Sequence, residues 1–562
     1  MAELVSVSKS RSRWARWCVA IVAVAVLLGS VAAQAFLFNP FNGVLRRDWN
    51  LYESKHFRVY SDFPEAVVGQ RIHDLELFRS FVHFAMGIPP DTETPVVDVY
   101  LFSRRGHMFR LFNSDTMLGF MRPGLENSLM VIAPVYRTSN LNTVAFHEYV
   151  HFILRNVSGS HFPPWYEEGL AEFFAGTSIE NGQVVVGAIP PVRERDLFAT
   201  PSMTIPSLMN AGIAAEPLPL APQSSRDPAA QRERLASAGR ARNVDFYSHA
   251  WSLMHLLLLG HHAGLPRRDH LLVDYVLDIQ AGANPKTAYL EHFDSNYNQL
   301  QKDLRSYLNL RSRLPKLTLP LDQFDYDPRY KRYDVTRKDM VYRFASLVAP
   351  TSSLSARWLY EYALELEPES PRALAGLGVV RRMSGNYVKA LDLAEQSLKQ
   401  AAATGEYRAF AHFEFADTVN VVCRRSNLVR EELAHLDCSQ LQQRALASYR
   451  IALQNEPDNT EFQANYGVAL LRAGQTDEAE TFLSAAYAKA PWSPGLSFAL
   501  GECQRRRGEF ERSKTLLSRA SVWFFKNPAL RANALVALEL AQREIAVVPT
   551  IEADEKQLRA LQ

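Results

Sequence analysis

The chain has 562 residues, enough for about three or four domains. Hydrophobic residues make up 47% and charged residues 22%, which excludes a mostly disordered chain. The net charge of +2 argues against general nucleic-acid binding, and four cysteines with no Cys-x-x-Cys pair exclude a disulfide-built scaffold and a thiolate zinc site.

Lys9, Arg11, Arg13 and Arg16 precede an apolar run, Trp17–Leu28, and Ala33-Gln34-Ala35 follows it. A basic flank, a short apolar core and a small-residue site form the pattern of an export signal. Weakly interrupted apolar character continues to Phe38, so residues 1–38 read either as a signal peptide or as a membrane anchor with its basic side cytoplasmic. Both readings place the rest of the chain outside the cytoplasm, periplasmic or otherwise extracytoplasmic, free or anchored to the inner membrane.

Residues 48–312 read as one α+β domain. His56–Tyr60 and Pro95–Phe102 have strand composition, and residues 65–86 between them carry helical periodicity. Residues 141–177 are predicted helical in two pieces, broken at Ser158–Pro164.

The first piece carries His147-Glu148-Tyr149-Val150-His151. Histidines four residues apart on a helix differ by about 40° around its axis, so both rings can reach one zinc ion. Glu148 lies about 100° away, placed to take a proton from water at the metal. The second piece, Pro164-Trp165-Tyr166-Glu167-Glu168-Gly169-Leu170-Ala171-Glu172, can fold back and bring a third, carboxylate ligand. Glu168 and Glu167 are the two choices. Glu172, one turn beyond Glu168, suits an acceptor for the outer N–H of a ligand histidine, His147 being the nearer choice.

His-Glu-x-x-His followed by Trp-x-x-Glu-Gly-x-Ala-Glu resembles the gluzincin metallopeptidases, and more closely their peptidase-MA-like bacterial branch, related to thermolysin and the zinc aminopeptidases. The resemblance covers residues 50–310, with its specific motifs in 141–174. It implies a zincin-like fold and one Zn2+ held by His147, His151 and Glu168, since the family ligand directly precedes glycine. It also implies Glu148 as catalytic base and Glu172 as the acid behind a ligand. A tyrosine opening a later helix stabilises the oxyanion in related aminopeptidases, which makes Tyr247 either that donor or an ordinary boundary residue. Gly124-Leu125-Glu126-Asn127 resembles the Gly-x-Met-Glu-Asn strand whose glutamate binds a substrate amino terminus, with leucine in place of methionine. By that likeness Glu126 is a substrate-binding residue on an edge strand, and a plain turn is the other reading.

Residues 216–243 are rich in Pro, Ser, Ala and Arg and read as a mobile loop. Residues 245–310 return to helix. His249, His255, His261 and His262 there lack carboxylate partners, so a second metal is not expected. Three prolines among charged and aromatic residues make 313–335 an expected linker.

From 337 the chain repeats. Gly467, Gly474 and Pro491 recur 34 residues on as Gly501, Gly508 and, nearly, Pro528. The spacing resembles the tetratricopeptide repeat, TPR, a helix–turn–helix unit with small residues where its helices cross. About five units fill 337–527, an insertion surrounds Cys423 and Cys438, and a capping helix follows at 528–545. The two cysteines can pair in an oxidising compartment. Stacked repeats form an all-α solenoid whose groove holds a peptide or protein segment.

The parts together imply an exported zinc metallopeptidase whose repeats recruit a substrate or partner protein. The alternatives are a non-catalytic TPR scaffold with a relic zincin domain, and a zinc hydrolase of non-peptide amides.

Overall fold

A computed structural model of the chain describes residues 40–114, 119–134, 141–156, 162–190, 193–194, 197, 204–210, 246–280, 283, 285–293, 297–425, 433, 436–523 and 528–561. The expected signal or anchor and the expected loop at 216–243 lie outside the described residues. Among the described residues, no helix is long and apolar enough to cross a membrane.

The first half begins with β1 (Asn50–Glu53), β2 (Phe57–Ser61), α1 (Glu65–Ala85), β3 (Val97–Leu101) and α2 (Arg105–Phe112). Then come β4 (Gly119–Arg122), β5 (Ser128–Ile132), α3 (Leu141–Asn156), α4 (Pro164–Ala175), β6 (Ser178–Glu180) and β7 (Gln183–Val186). After these, α5 runs through 246–259, followed by α6 (Asp269–Gln280), α7 (Pro285–His292), α8 (Tyr297–Leu308), β8 (Leu317–Pro320) and β9 (Lys331–Asp334).

The second half is helical: α9 (Arg337–Val348), α10 (Ser353–Leu366), α11 (Pro371–Met383), α12 (Tyr387–Thr404), α13 (Arg408–Arg425) and α14 (Cys438–Asn455). It continues with α15 (Thr460–Arg472), α16 (Thr476–Lys489), α17 (Pro494–Arg506), α18 (Phe510–Trp523) and α19 (Pro528–Leu561).

Six strands form one sheet in the order β4-β5-β3-β2-β1-β9. The centre, β2-β3-β5, is parallel, and the flanking pairs are antiparallel. The register aligns Val59, Val99 and Met130 in one row and Tyr60, Tyr100 and Val131 in the next. The first row joins the core shared with α1, α3, α4 and α5. The second row faces the opposite way, onto Met340, Phe344 and Val348 of α9. Burial on both faces explains the largely apolar composition of the central strands, which Arg58 and Asp98 interrupt as an ion pair at 2.6 Å.

Residues 313–335 are not a linker. They supply β8, which pairs with β7 in a three-stranded sheet, and β9, which pairs with β1. Lys331-Arg332-Tyr333-Asp334 is exposed throughout and forms a charged sheet edge, which discourages further strand pairing. The chain therefore passes directly from the sheet into α9, whose start Thr336 caps by accepting the Asp339 N–H.

The helices after α9 stack as antiparallel pairs. Asn459 and Ser493 cap α15 and α17, and Pro371 and Pro494 occupy first turns. Gly467 keeps a pair close, since a Cβ there would lie 2.7 Å from Leu483 Cγ. A disulfide joins Cys423 to Cys438 across the expected insertion, with the Cα atoms 5.5 Å apart. The last helix runs to Leu561, beyond the expected end at 545.

Candidate metal centre

The buried side of α3 sets the orientation of its polar residues. Phe146 stacks on Phe78 at 3.8 Å between ring centroids, and Tyr149 meets Phe57 at 5.4 Å. Val150 and Ile153 are fully buried. With that side committed to the core, His147 and His151 emerge together toward α4.

Helix α4 starts on Pro164, at a position where the missing N–H costs no helical bond. Trp165 anchors it in the core. Gly169 then admits α5 against α4, because a Cβ there would lie 2.7 Å from the Ala250 carbonyl oxygen. That approach brings Tyr247, one turn earlier, to 6.1 Å from His147 between ring centroids.

His147 Nε2 and His151 Nε2 are 3.2 Å apart. Glu168 Oε2 lies 3.2 Å from His151 Nε2 and 3.3 Å from His147 Nε2. A tetrahedral zinc ion with bonds of about 2.0–2.1 Å needs ligand atoms about 3.3 Å apart, so the donor set fits. Two ring nitrogens and one carboxylate oxygen are also the donor chemistry of a zinc site with an open position. Among the described residues these three form the one His/Cys/Asp/Glu group with that convergence.

The pair Glu167 and Glu168 separates cleanly. Glu167 is buried on the other side, where its carboxylate accepts the Phe162 N–H at 3.3 Å and meets Arg155 at 3.5 Å. Glu172 lies behind His147, its Oε1 3.3 Å from Nδ1. Arg193, which the sequence reading misses, donates to the same oxygen at 2.7 Å. Its guanidinium also sits 4.7 Å from the Tyr247 ring centroid.

The charges support one another. Burial disfavours a charged His147, but hydrogen bonds to Glu168 and Glu172 outweigh it and push the ring up to about 10. Burial likewise opposes both carboxylates. His151, with His147, nonetheless holds Glu168 well below the usual range, and Arg193 with His147 pulls Glu172 down to about 2. The pocket thus favours positive charge between fixed carboxylates. Burial, then the Glu168 carboxylate, raises Tyr247, so its phenol keeps the proton and remains a donor.

Glu148 is half-buried on the turn facing this cluster, and its charge acts on both His147 and Tyr247. Of the two readings of Glu126, the structure shows the turn. The residue sits at the tip of the β4–β5 hairpin, where its carboxylate accepts the backbone N–H of Thr460. The edge strand is β4, not the segment 129–132, which lies inside the sheet as β5. His249, His255, His261 and His262 join no metal-type group among the described residues. His255 is held by the Tyr307 hydroxyl and the Gly187 carbonyl, each at 2.8 Å.

Comparison with known proteins bears on the second half. Family models for the tetratricopeptide repeat match residues 354–406, 443–494 and 470–538. A search of curated proteins gave no match. Among solved structures, a thermophilic TPR protein of Thermus thermophilus, TTC0263, is 22% identical, covering 36% of this chain and 98% of its own, with a TM-score of 0.29. YrrB, a TPR protein with an unusual peptide-binding site, is 20% identical, covering 34% and 89%, with a TM-score of 0.25. MamA from Desulfovibrio magneticus is 13% identical, covering 34% and 97%, with a TM-score of 0.26. With the 34-residue period and the paired helices already described, residues 354–406 and 443–538 are tetratricopeptide repeats, modules that bind protein segments.

Proposed function

We propose that the first half of the chain is a zinc-dependent peptidase of the gluzincin type, acting outside the cytoplasm, and that the repeats present it with a substrate or partner protein. The observation that carries this reading is the convergence of His147, His151 and Glu168 at 3.2–3.3 Å, the spacing a tetrahedral ion requires. His147, His151 and Glu168 would hold the ion. Zinc in such a site supplies a Lewis acid that polarises a carbonyl and makes water a stronger acid.

The chain's own residues supply the rest. Glu148 takes the proton of the attacking water and passes it to the departing amine. Tyr247, kept protonated by burial, donates to the oxygen of the tetrahedral species. Glu172 and Arg193 fix the His147 ring so that Nε2 keeps facing Glu168. The basic and apolar N-terminal pattern supports export, and the Cys423–Cys438 disulfide is consistent with an oxidising compartment.

Metal analysis of the purified chain should find one zinc per molecule. The Glu148→Gln variant should keep that zinc and lose about 10²–10⁴-fold in peptide-library hydrolysis. Retained hydrolysis would remove Glu148 from its role. No bound zinc would leave the non-catalytic scaffold, which the repeats equally accommodate.

A further inference from the structure

The β4–β5 hairpin touches both halves of the molecule. Its strand β4 packs on α3, where a Cβ at Gly119 would lie 2.5 Å from Val144, one turn before His147. Arg122 Nη1 donates to the Leu347 carbonyl of α9 at 3.1 Å. At the tip, Leu125 packs against the apolar core of the repeats, and Glu126 accepts the N–H of Thr460, the first residue of α15. A carboxylate there also complements the positive end of the helix.

The contact lies open to solvent: Glu126 and Glu461 are both exposed, and the Glu126 charge acts on the Glu461 carboxyl, a like charge beside the tip.

We propose that the start of α15 is a recognition site for a large apolar side chain followed by a carboxylate. Its occupant here is the chain's own Leu125-Glu126. A partner segment with the same apolar–acidic pair displaces the tip, frees β4, and so alters the helix carrying His147 and His151. The effect on turnover rests on the peptidase reading, whereas the occupancy of α15 does not.

The test uses the full chain and amide hydrogen exchange. Proline is tolerated at the first position of a helix, so Thr460→Pro removes the donor while leaving α15 intact. Thr460→Pro and Glu126→Ala should each speed exchange across 119–132 by about tenfold, with α16–α18 unchanged and no further gain in the double variant. A peptide copying residues 120–129 should give the same acceleration in the unaltered chain, and its Glu→Ala version should not. Unchanged exchange in both single variants overturns the proposal, as does a peptide that acts equally well without its glutamate. In protein shown to hydrolyse peptides, unchanged turnover in both variants overturns the coupling. Absence of hydrolysis in the unaltered chain counts against the peptidase reading alone, because exchange needs neither metal nor turnover.

Discussion

Arg193 ties two functional groups together, bonding Glu172 at 2.7 Å and stacking on Tyr247. Arg193→Ala should lower turnover about 10–100-fold, as losses behind a metal ligand commonly do, measured as kcat/KM beside zinc content. Arg193→Lys should recover only part, because an ammonium cannot bond and stack at once. Nothing in Pro190-Pro191-Val192-Arg193 announces this role, which arises from a tertiary contact 21 residues away in sequence. Glu168 and Glu172 are legible because their spacing along one helix encodes their direction. What the turn at Glu126 meets is not legible for the opposite reason: its partner Thr460 lies 334 residues on. In the repeats, burial pushes Glu414 up to about 8, against an ordinary 4.5 and despite Arg382. A carboxyl raised on folding supports the fold fully below 4.5 and loses that support as the pH rises through about 8. Thermal midpoints should therefore fall over this range, and Glu414→Gln should flatten the slope.

Helix packing sets the geometry of the candidate site at the next scale. The approach of α5 to α4 over Gly169 sets where Tyr247 lies. Gly169→Ala should force the two helices apart, costing about 1–3 kcal/mol of stability by overpacking. The thermal midpoint would report that cost, and turnover should fall beyond what lost folded protein explains. The long helices and β2 and β3 are readable from periodicity and composition. By contrast, β6 to β9 are three or four residues each, too short for a pattern to emerge. Strand β9 in particular reads as a charged linker because it exists only through pairing with β1, with Asn50 opposite Asp334 and Leu51 opposite Tyr333. Its hydrogen bonds are long-range and leave no local signature.

Across the whole molecule, the disulfide closes a segment of 15 residues between α13 and α14. A loop of that length is worth about 3 kcal/mol in the chain-entropy account. Cys438→Ser should shift the denaturant midpoint of the repeats accordingly, and reduction of the unaltered chain should match it. The sheet's second face has a further consequence. Tyr100, Phe102 and Val131 are covered by α9 and its neighbours, more than 200 residues later in the order of synthesis. A ribosome making this protein finishes the motif helices long before that cover exists. The nascent chain then carries a bare apolar surface prone to clumping, and a gene cut at residue 335 would make it permanent. Such a truncated product should need a chaperone or precipitate, because the first half leaves one face of its sheet for the second half to cover.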